Sequence, residues 1–304
     1  MRVRRQLSMI GPAVRNPARP VMGVLLVLFI VFFFALADAL TKLLVARHPV
    51  QVVIAGRFLS SLLLLLVFLA RRLGRRLWAT RRPLIVTVRS VCITVGALMV
   101  GLALQRMPIG ETVAIVYCAP LLVMLLAAPI LGEKVGAAGW ASASLGLMGV
   151  MFIVRPGSGL DTLGVIFCLV NVALYAAYQL LTRKLSDTES SIALTANLCL
   201  VGAILFGVAA IPYLRENVPS LDDLALMSAL GALSTLGHIL YSVAFRLAPA
   251  SLVAPASYFH LVWAALLGWV VFNELPDKFA LIGMGMIMIS GISTILLASL
   301  RDRP

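Results

Sequence analysis

Long apolar runs alternate with short polar breaks along the chain. A hydrocarbon core of ~30 Å requires about 20 apolar residues per crossing helix. Ten runs approach or exceed that length, at 21–45, 49–70, 83–104, 109–131, 135–154, 162–185, 190–212, 222–247, 249–273 and 277–299. Breaks such as Leu131-Gly132-Glu133-Lys134 are short enough to make tight helical hairpins, and none is long enough for a soluble domain. The pattern predicts an all-α integral membrane protein with ten transmembrane helices. The first run follows Arg2, Arg4, Arg5, Arg15 and Arg19, which looks like the charged start of a signal peptide. A cleavable apolar core spans only about 7–15 residues, so this run reads as a retained first helix.

Composition narrows the class further. Hydrophobic residues make up 62% of the 304 residues and charged residues 12%, against about 45–50% and about 25% in soluble domains. That excludes an ordinary soluble domain, a disordered chain and a disulfide scaffold. The net charge of +13 would suggest nucleic acid in a soluble protein. Here no basic patch interleaved with aromatics stands outside the apolar runs, and topology explains the excess. With the amino terminus inside, the inner segments carry 17 basic residues, among them the five N-terminal arginines and Arg71, Arg72, Arg75, Arg76, Arg81 and Arg82. The outer segments carry six, namely Lys42, Arg47, Arg106, Arg155, Arg215 and Lys278. The positive-inside rule then places both termini in the cytoplasm. Cys92, Cys118, Cys168 and Cys199 each lie within apolar runs without CxxC or Cys/His spacing, so they read as packing residues.

An internal repeat sets the organisation. One offset of 141 pairs Gly23 with Gly164, Thr41 with Thr182, Lys42 with Arg183, Pro108 with Pro249, Tyr117 with Tyr258 and Glu133 with Glu274. The same offset lays helix one on helix six and helix four on helix nine. Five helices per unit is an odd number, so the second unit is inserted upside down. Inverted repeats mark secondary transporters, with the site near the midplane between the halves. The chain divides into a basic cytoplasmic segment at 1–20, a first repeat at 21–154 and a second at 162–299.

The segment Met107-Pro108-Ile109-Gly110-Glu111, continuing through Tyr117-Cys118-Ala119-Pro120 to Leu131-Gly132-Glu133-Lys134, resembles a repeat end of the drug/metabolite transporter superfamily, more narrowly its EamA-like branch. The second copy runs from Ala248-Pro249-Ala250 through Tyr258 to Phe272-Asn273-Glu274, with Asn273 in place of Gly132 and Leu261 in place of Pro120. The resemblance implies two five-helix repeats in a bacterial inner membrane, moving small metabolites by alternating access. Amino acids, nucleosides and cofactor precursors such as riboflavin are compatible cargo.

Polar residues within the runs are candidates for that task, because charge at mid-bilayer costs at least ~2.5–3.5 kcal/mol. Asp38 and Lys42 share a face of helix one. Asp38 lies about 10 Å inside the outer end of helix one and Arg57 about 12 Å inside that of helix two, at 1.5 Å per residue. Matching depth leaves two readings open. Either Asp38 and Arg57 line the path, with Arg57 meeting an anionic group and Asp38 taking a proton, or they form a permanent ion pair. Lys42 and Arg89 are expected to snorkel, and His48 to be solvated in an outer loop. His238 and His260, away from their helix ends, can relay protons or bond across a packed interface. Asn171, Tyr175 and Tyr178 follow one face of helix six, and Tyr117, Tyr258 and Trp263 add aromatic surface; a cavity for a planar cargo competes with an interfacial belt.

Pro120 and Pro255 are expected hinges. Glu133 and Glu274 are expected at helix-end turns. Small residues on helices five and ten (Ser142, Ser144, Gly146, Gly149; Gly283, Gly285, Ser290, Gly291) permit close helix approach, within the chain or in a homodimer.

No GxSxG, paired intramembrane Asp or HExxH occurs, so neither an intramembrane enzyme nor a metal or cofactor site is expected. A channel would favour a ring of repeated polar residues. A lipid or lipid-linked headgroup flippase remains the alternative to a carrier of soluble metabolites. The expected partners are thus a small-molecule substrate and membrane lipid, with proton coupling through Asp38.

Overall fold

The computed structural model of the chain describes residues 19–70, 74–119, 121–123, 126, 137–155, 159–185, 188–215, 218–247 and 256–301. Among these residues the structure is helical, without a strand. In chain order the α-helices are α1 (Arg19–Val45), α2 (Val50–Leu65), α3 (Pro83–Leu104), α4 (Ile109–Val116), α5 (Ala137–Ile153), α6 (Thr162–Leu185), α7 (Ser191–Leu214), α8 (Leu221–Leu247), α9 (Phe259–Phe272) and α10 (Lys278–Arg301). Among the described residues, six helices (α1, α2, α3, α6, α7 and α8) are both long and apolar enough to cross a membrane. The other apolar stretches are shorter, and those of α4 and α9 have a local cause considered below.

Helix starts follow ordinary capping chemistry. The Asp161 carboxylate accepts the Gly164 amide at 2.7 Å ahead of α6, and Asp277 accepts the Ala280 amide at 2.8 Å at the start of α10. Ser190 accepts the Ala193 amide at 3.1 Å ahead of α7, and Ser220 accepts the Asp223 amide at 3.1 Å ahead of α8.

The main helix pairings are α1 with α8, α2 with α7, α3 with α6 and α5 with α10. Each joins a helix before residue 156 to one after 160, and exchanging α1–α5 with α6–α10 maps the set onto itself. Small residues set the approach. A Cβ on Gly283 would lie 2.5 Å from the Gly149 carbonyl oxygen, and one on Gly149 would lie 2.7 Å from the Gly283 oxygen. The small-residue stripes of helices five and ten are therefore used against each other within the chain. Between α3 and α6, Gly96 leaves room for Asn171; between α2 and α7, Gly202 seats the Phe58 ring.

Large apolar side chains divide between two environments. Ile54, Leu104, Ile115, Ile153 and Met227 are fully buried between helices, whereas Leu63, Val67, Met151, Val208 and Val270 stand exposed on the outside. A broad apolar exterior is what lipid solvates, and the chain is an integral membrane protein.

Candidate functional site

Helix α4 stops at Val116, turns at Tyr117-Cys118 and is helical again at Ala119. The Cys118 amide donates to the Ile115 carbonyl, a tighter 3.0 Å bond in place of the α-helical one. Pro120 has no N–H for the Val116 carbonyl, so the regular ladder cannot run through this point. On the other half, Ala256-Ser257 are helical, Tyr258 forms a turn, and α9 begins at Phe259. Tyr117 and Tyr258 are the pair related by the 141-residue offset, and their ring centroids lie 5.3 Å apart. Two helices are thus interrupted at equivalent residues, and the interruptions meet. The expected hinges Pro120 and Pro255 lie outside the described residues.

A chain of polar contacts crosses this point. The Tyr117 hydroxyl donates to the Ser257 carbonyl at 3.0 Å. Its oxygen lies 3.2 Å from His260 Nδ1, and His260 Nε2 lies 3.2 Å from Asp38 Oδ2. The chain joins α1, α4 and α9. His260 is buried, and the Asp38 side chain is 24% exposed. The matched depths of Asp38 and Arg57 suggested an ion pair as one reading; the structure gives Asp38 to His260. Among the described residues Arg57 has no ion pair, although it is close enough to Asp38 to feel its charge. Its guanidinium rests 5.6 Å from the Phe58 ring centroid.

His238 approaches the same space from α8. Its ring lies 5.4 Å from that of Phe34, which is 6.4 Å from His260 and 6.3 Å from Tyr241. Trp263 packs edge-on against Phe32 at 5.1 Å, and its indole nitrogen is buried without a partner among the described residues. Phe34, Tyr241 and Ser257 were not singled out in the sequence, because apolar and small hydroxyl residues are ordinary in membrane helices; the phenylalanine and tyrosine alternation gave no distinct signal.

Two expected site residues are committed to packing. Asn171 is buried and donates to the Gly96 carbonyl at 2.9 Å, tying α6 to α3. Arg89 does not snorkel: it is 4% exposed and donates to the Thr182 hydroxyl at 2.7 Å and the Tyr178 hydroxyl at 2.9 Å. Its guanidinium also sits 4.4 Å from the Tyr178 ring centroid, which assigns Tyr178 to Arg89 rather than to an interfacial belt. Tyr175 stacks beside Tyr178 at 5.6 Å.

One end of the bundle is fastened by ion pairs of a single polarity. Lys42 pairs with Glu274 at 2.6 Å and also donates to the Met107 carbonyl at 2.7 Å. Glu274 Oε2 accepts the Ile109 amide at 3.3 Å. His48 and Arg47 meet Asp223 at 2.9 and 3.4 Å, Arg106 meets Asp161 at 3.6 Å, and Arg155 meets Asp277 at 2.6 Å. In every one of these pairs the base precedes residue 156 and the acid follows residue 160. Lys42 and His48 therefore do not sit in water as expected. Hydrogen bonding from Arg155, together with the Ala280 amide, holds the Asp277 carboxyl below the usual carboxylate range. At the opposite end Glu189 accepts the Arg81 and Arg82 amides, each at 2.9 Å.

The sequence profile of the EamA-like transporter family matches residues 21–155 and again 162–297. The chain belongs to the EamA-like transporter family. Among curated relatives of this family member, a "Riboflavin transporter" of Rhizobium johnstonii is 27% identical over 90% of both chains. An "S-adenosylmethionine uptake transporter" of Rickettsia bellii is 27% identical over 83% of this chain and 85% of that one. A "Pseudopaline exporter" of Pseudomonas aeruginosa is 26% identical over 89% and 95% respectively. A crystal structure 20% identical in sequence aligns with 94% of this EamA-like chain and all of the other at a TM-score of 0.66, so the fold is shared. The protein is a membrane transporter of the drug/metabolite type.

Proposed function

We propose that this EamA-like transporter carries a small organic metabolite with an anionic group, by alternating access between two inverted five-helix halves. The observation that carries the reading is the meeting of two helix breaks at Tyr117 and Tyr258, beside Asp38, Arg57, His238 and His260. Discontinuous helices expose backbone groups where a cargo can use them, and they are tolerated in a membrane only around such a cavity or within protein. The interhelix pairings that exchange between halves support the inverted repeat. The basic asymmetry of the sequence supports cytoplasmic termini and puts the ion-paired end outside, so this conformation is closed to the exterior. Arg57 favours an anionic group, since a deep cation without a carboxylate partner among the described residues is best stabilised by one from the cargo.

The test is a thermal-shift screen of the purified protein in nanodiscs. The panel contains riboflavin, S-adenosylmethionine, amino acids, nucleosides and simple carboxylate- and phosphate-bearing metabolites. A ligand at 100 times its Kd adds about 2.7 kcal/mol of stability. A stabilising compound whose effect disappears in Arg57→Ala supports the reading. A compound that stabilises both proteins equally moves the cargo away from Arg57. Stabilisation by lipid headgroup analogues alone would replace a soluble cargo with the flippase alternative.

A further inference from the structure

Donor and acceptor capacities fix where protons sit in the chain from Ser257 to Asp38. A carbonyl oxygen only accepts, so the single Tyr117 hydroxyl proton, 3.0 Å from the Ser257 oxygen, is spent there. The Tyr117 oxygen can then only accept from His260 Nδ1 at 3.2 Å, so Nδ1 carries a hydrogen. In a neutral imidazole with Nδ1 protonated, Nε2 has a lone pair and no hydrogen. Yet Nε2 lies 3.2 Å from Asp38 Oδ2, and an ionised carboxylate has only lone pairs to offer. Two acceptors do not hold each other at that distance. With a proton between them the contact is sound, either as imidazolium and carboxylate or as imidazole and carboxylic acid. The two forms have the same composition.

We infer that Asp38 and His260 form a single-proton binding site, and that filling it releases Arg57 to hold an anionic cargo. Deprotonation takes the pair from zero to one net negative charge. The groups around it make this charge matter. From α4 the pair meets Tyr117, with Cys118 next to it and Glu111 further along. From α6 and α9 it meets Tyr175 and Tyr258, and from α8 Tyr241 and His238. The tyrosines are neutral in either state. Lys42, one turn along α1, is engaged by Glu274, and Arg89 is engaged by Tyr178 and Thr182. Arg57 is the cation whose charge bears on Asp38 without an ion pair of its own among the described residues. An empty pair therefore competes with the cargo for Arg57, whereas a filled pair does not. Proton and anion bind in favour of each other, which is the thermodynamic basis of symport. The cargo part of this inference rests on the transport reading above; the proton site does not.

The test needs no cargo. The chain has three histidines, so ¹⁵N-histidine labelling in nanodiscs gives a spectrum that His48→Gln and His238→Gln variants can assign. The expected result is that His260 carries Nδ1–H at every pH, and that its Nε2 contact loses one proton in a single step. In Asp38→Asn the amide nitrogen can donate to Nε2, so that step should vanish from the neutral range. Tyr117→Phe removes the acceptor for Nδ1–H, and neutral His260 should change to the Nε2–H tautomer. Arg57→Ala removes a neighbouring cation and should move the step up by on the order of one pH unit. A His260 that stays in the Nε2–H tautomer in the wild-type protein overturns the proton site. A step unmoved by Arg57→Ala overturns its coupling to Arg57. Should Asp38→Asn not fold, the Tyr117→Phe and Arg57→Ala spectra decide both points. Failure of these spectra leaves the transport reading standing, and failure of the cargo screen leaves the proton site standing.

Discussion

Removing the Lys42 ammonium, as in Lys42→Met, should loosen the fastened end of the bundle by about 2 kcal/mol. The magnitude follows from three quantities. At 2.6 Å the Coulomb attraction to Glu274 is gross, about 6 kcal/mol at an effective dielectric of ~20. Most of that is offset by the cost of taking both charges out of water. Side-chain exposures of 13% and 25% set the pair between two limits: about 3–5 kcal/mol for breaking a buried pair, and about 0.2–1 kcal/mol for an exposed one. The variant also strands the Met107 carbonyl, which accepts from Lys42 at 2.7 Å. A loss of about 2 kcal/mol shifts the closed-to-open equilibrium roughly 30-fold. The reporter is the Ile109 amide, bonded to Glu274 Oε2. Hydrogen exchange of a peptide spanning 105–112 in nanodiscs should accelerate by about that factor, provided opening and reclosing are fast. Glu274→Gln should do nearly the same, and the double variant should add little. If the two single effects simply sum, to within about 0.5 kcal/mol, Lys42 and Glu274 are not coupled and the latch is refuted.

Three further outcomes follow from other contacts. Because Arg155 holds Asp277 ionised below its ordinary range, their contact stabilises the fold above the unfolded carboxyl pKa of about 3.9 and is lost as pH falls through the lower folded value. The melting difference between wild type and Arg155→Gln should therefore be full at pH 6 and close towards pH 3. Gly283→Ala puts a methyl 2.5 Å from the Gly149 carbonyl and should cost about 1–3 kcal/mol by separating α5 from α10, seen as a lower melting temperature. Glu189→Ala strips the acceptor from the Arg81 and Arg82 amides and should cost about 1–3 kcal/mol, with faster exchange confined to residues 79–84.

The helices were legible because an apolar run of about 20 residues has few other physical uses. The centre was legible only in part. Sequence depth correctly put Asp38 and Arg57 in one layer, since rise per residue is fixed. It could not say what Asp38 touches, because azimuth depends on how α1 and α9 are rotated against each other, and His260 is the residue that rotation presents. Likewise the prolines marked α4 and α9 as irregular, but the turns fall at Tyr117 and Tyr258, where tertiary partners take over the backbone groups. Lys42 and Glu274 were each read alone, as a snorkelling base and a solvated acid. The available signal was collective: Lys42, Arg47, Arg106 and Arg155 at one end of the first half are matched by Asp161, Asp223, Glu274 and Asp277 at helix ends of the second. Pairing across 232 residues of sequence from Lys42 to Glu274 is invisible to any local window.

Helix α1 brings the two devices into one mechanical element. Asp38 and Lys42 lie four residues apart, about 6 Å along a single rigid helix, and each is fastened to the α9 segment, through His260 and Glu274 respectively. A change in charge at Asp38 therefore acts on the helix whose end is held by the latch. When the proton leaves, Asp38 turns its charge to Arg57 on α2 and loses its sound contact with His260 on α9. Strain at that contact can be relieved by moving α1 relative to α9, which is the motion that would part Lys42 from Glu274. Coupling through one helix makes a specific demand: in Asp38→Asn, exchange at the Ile109 amide should lose its dependence on pH, although the Lys42–Glu274 pair itself is untouched. If the pH dependence persists in that variant, the latch and the proton site are independent, and the signal reaching the closed end comes from the carboxylates of the ion pairs themselves.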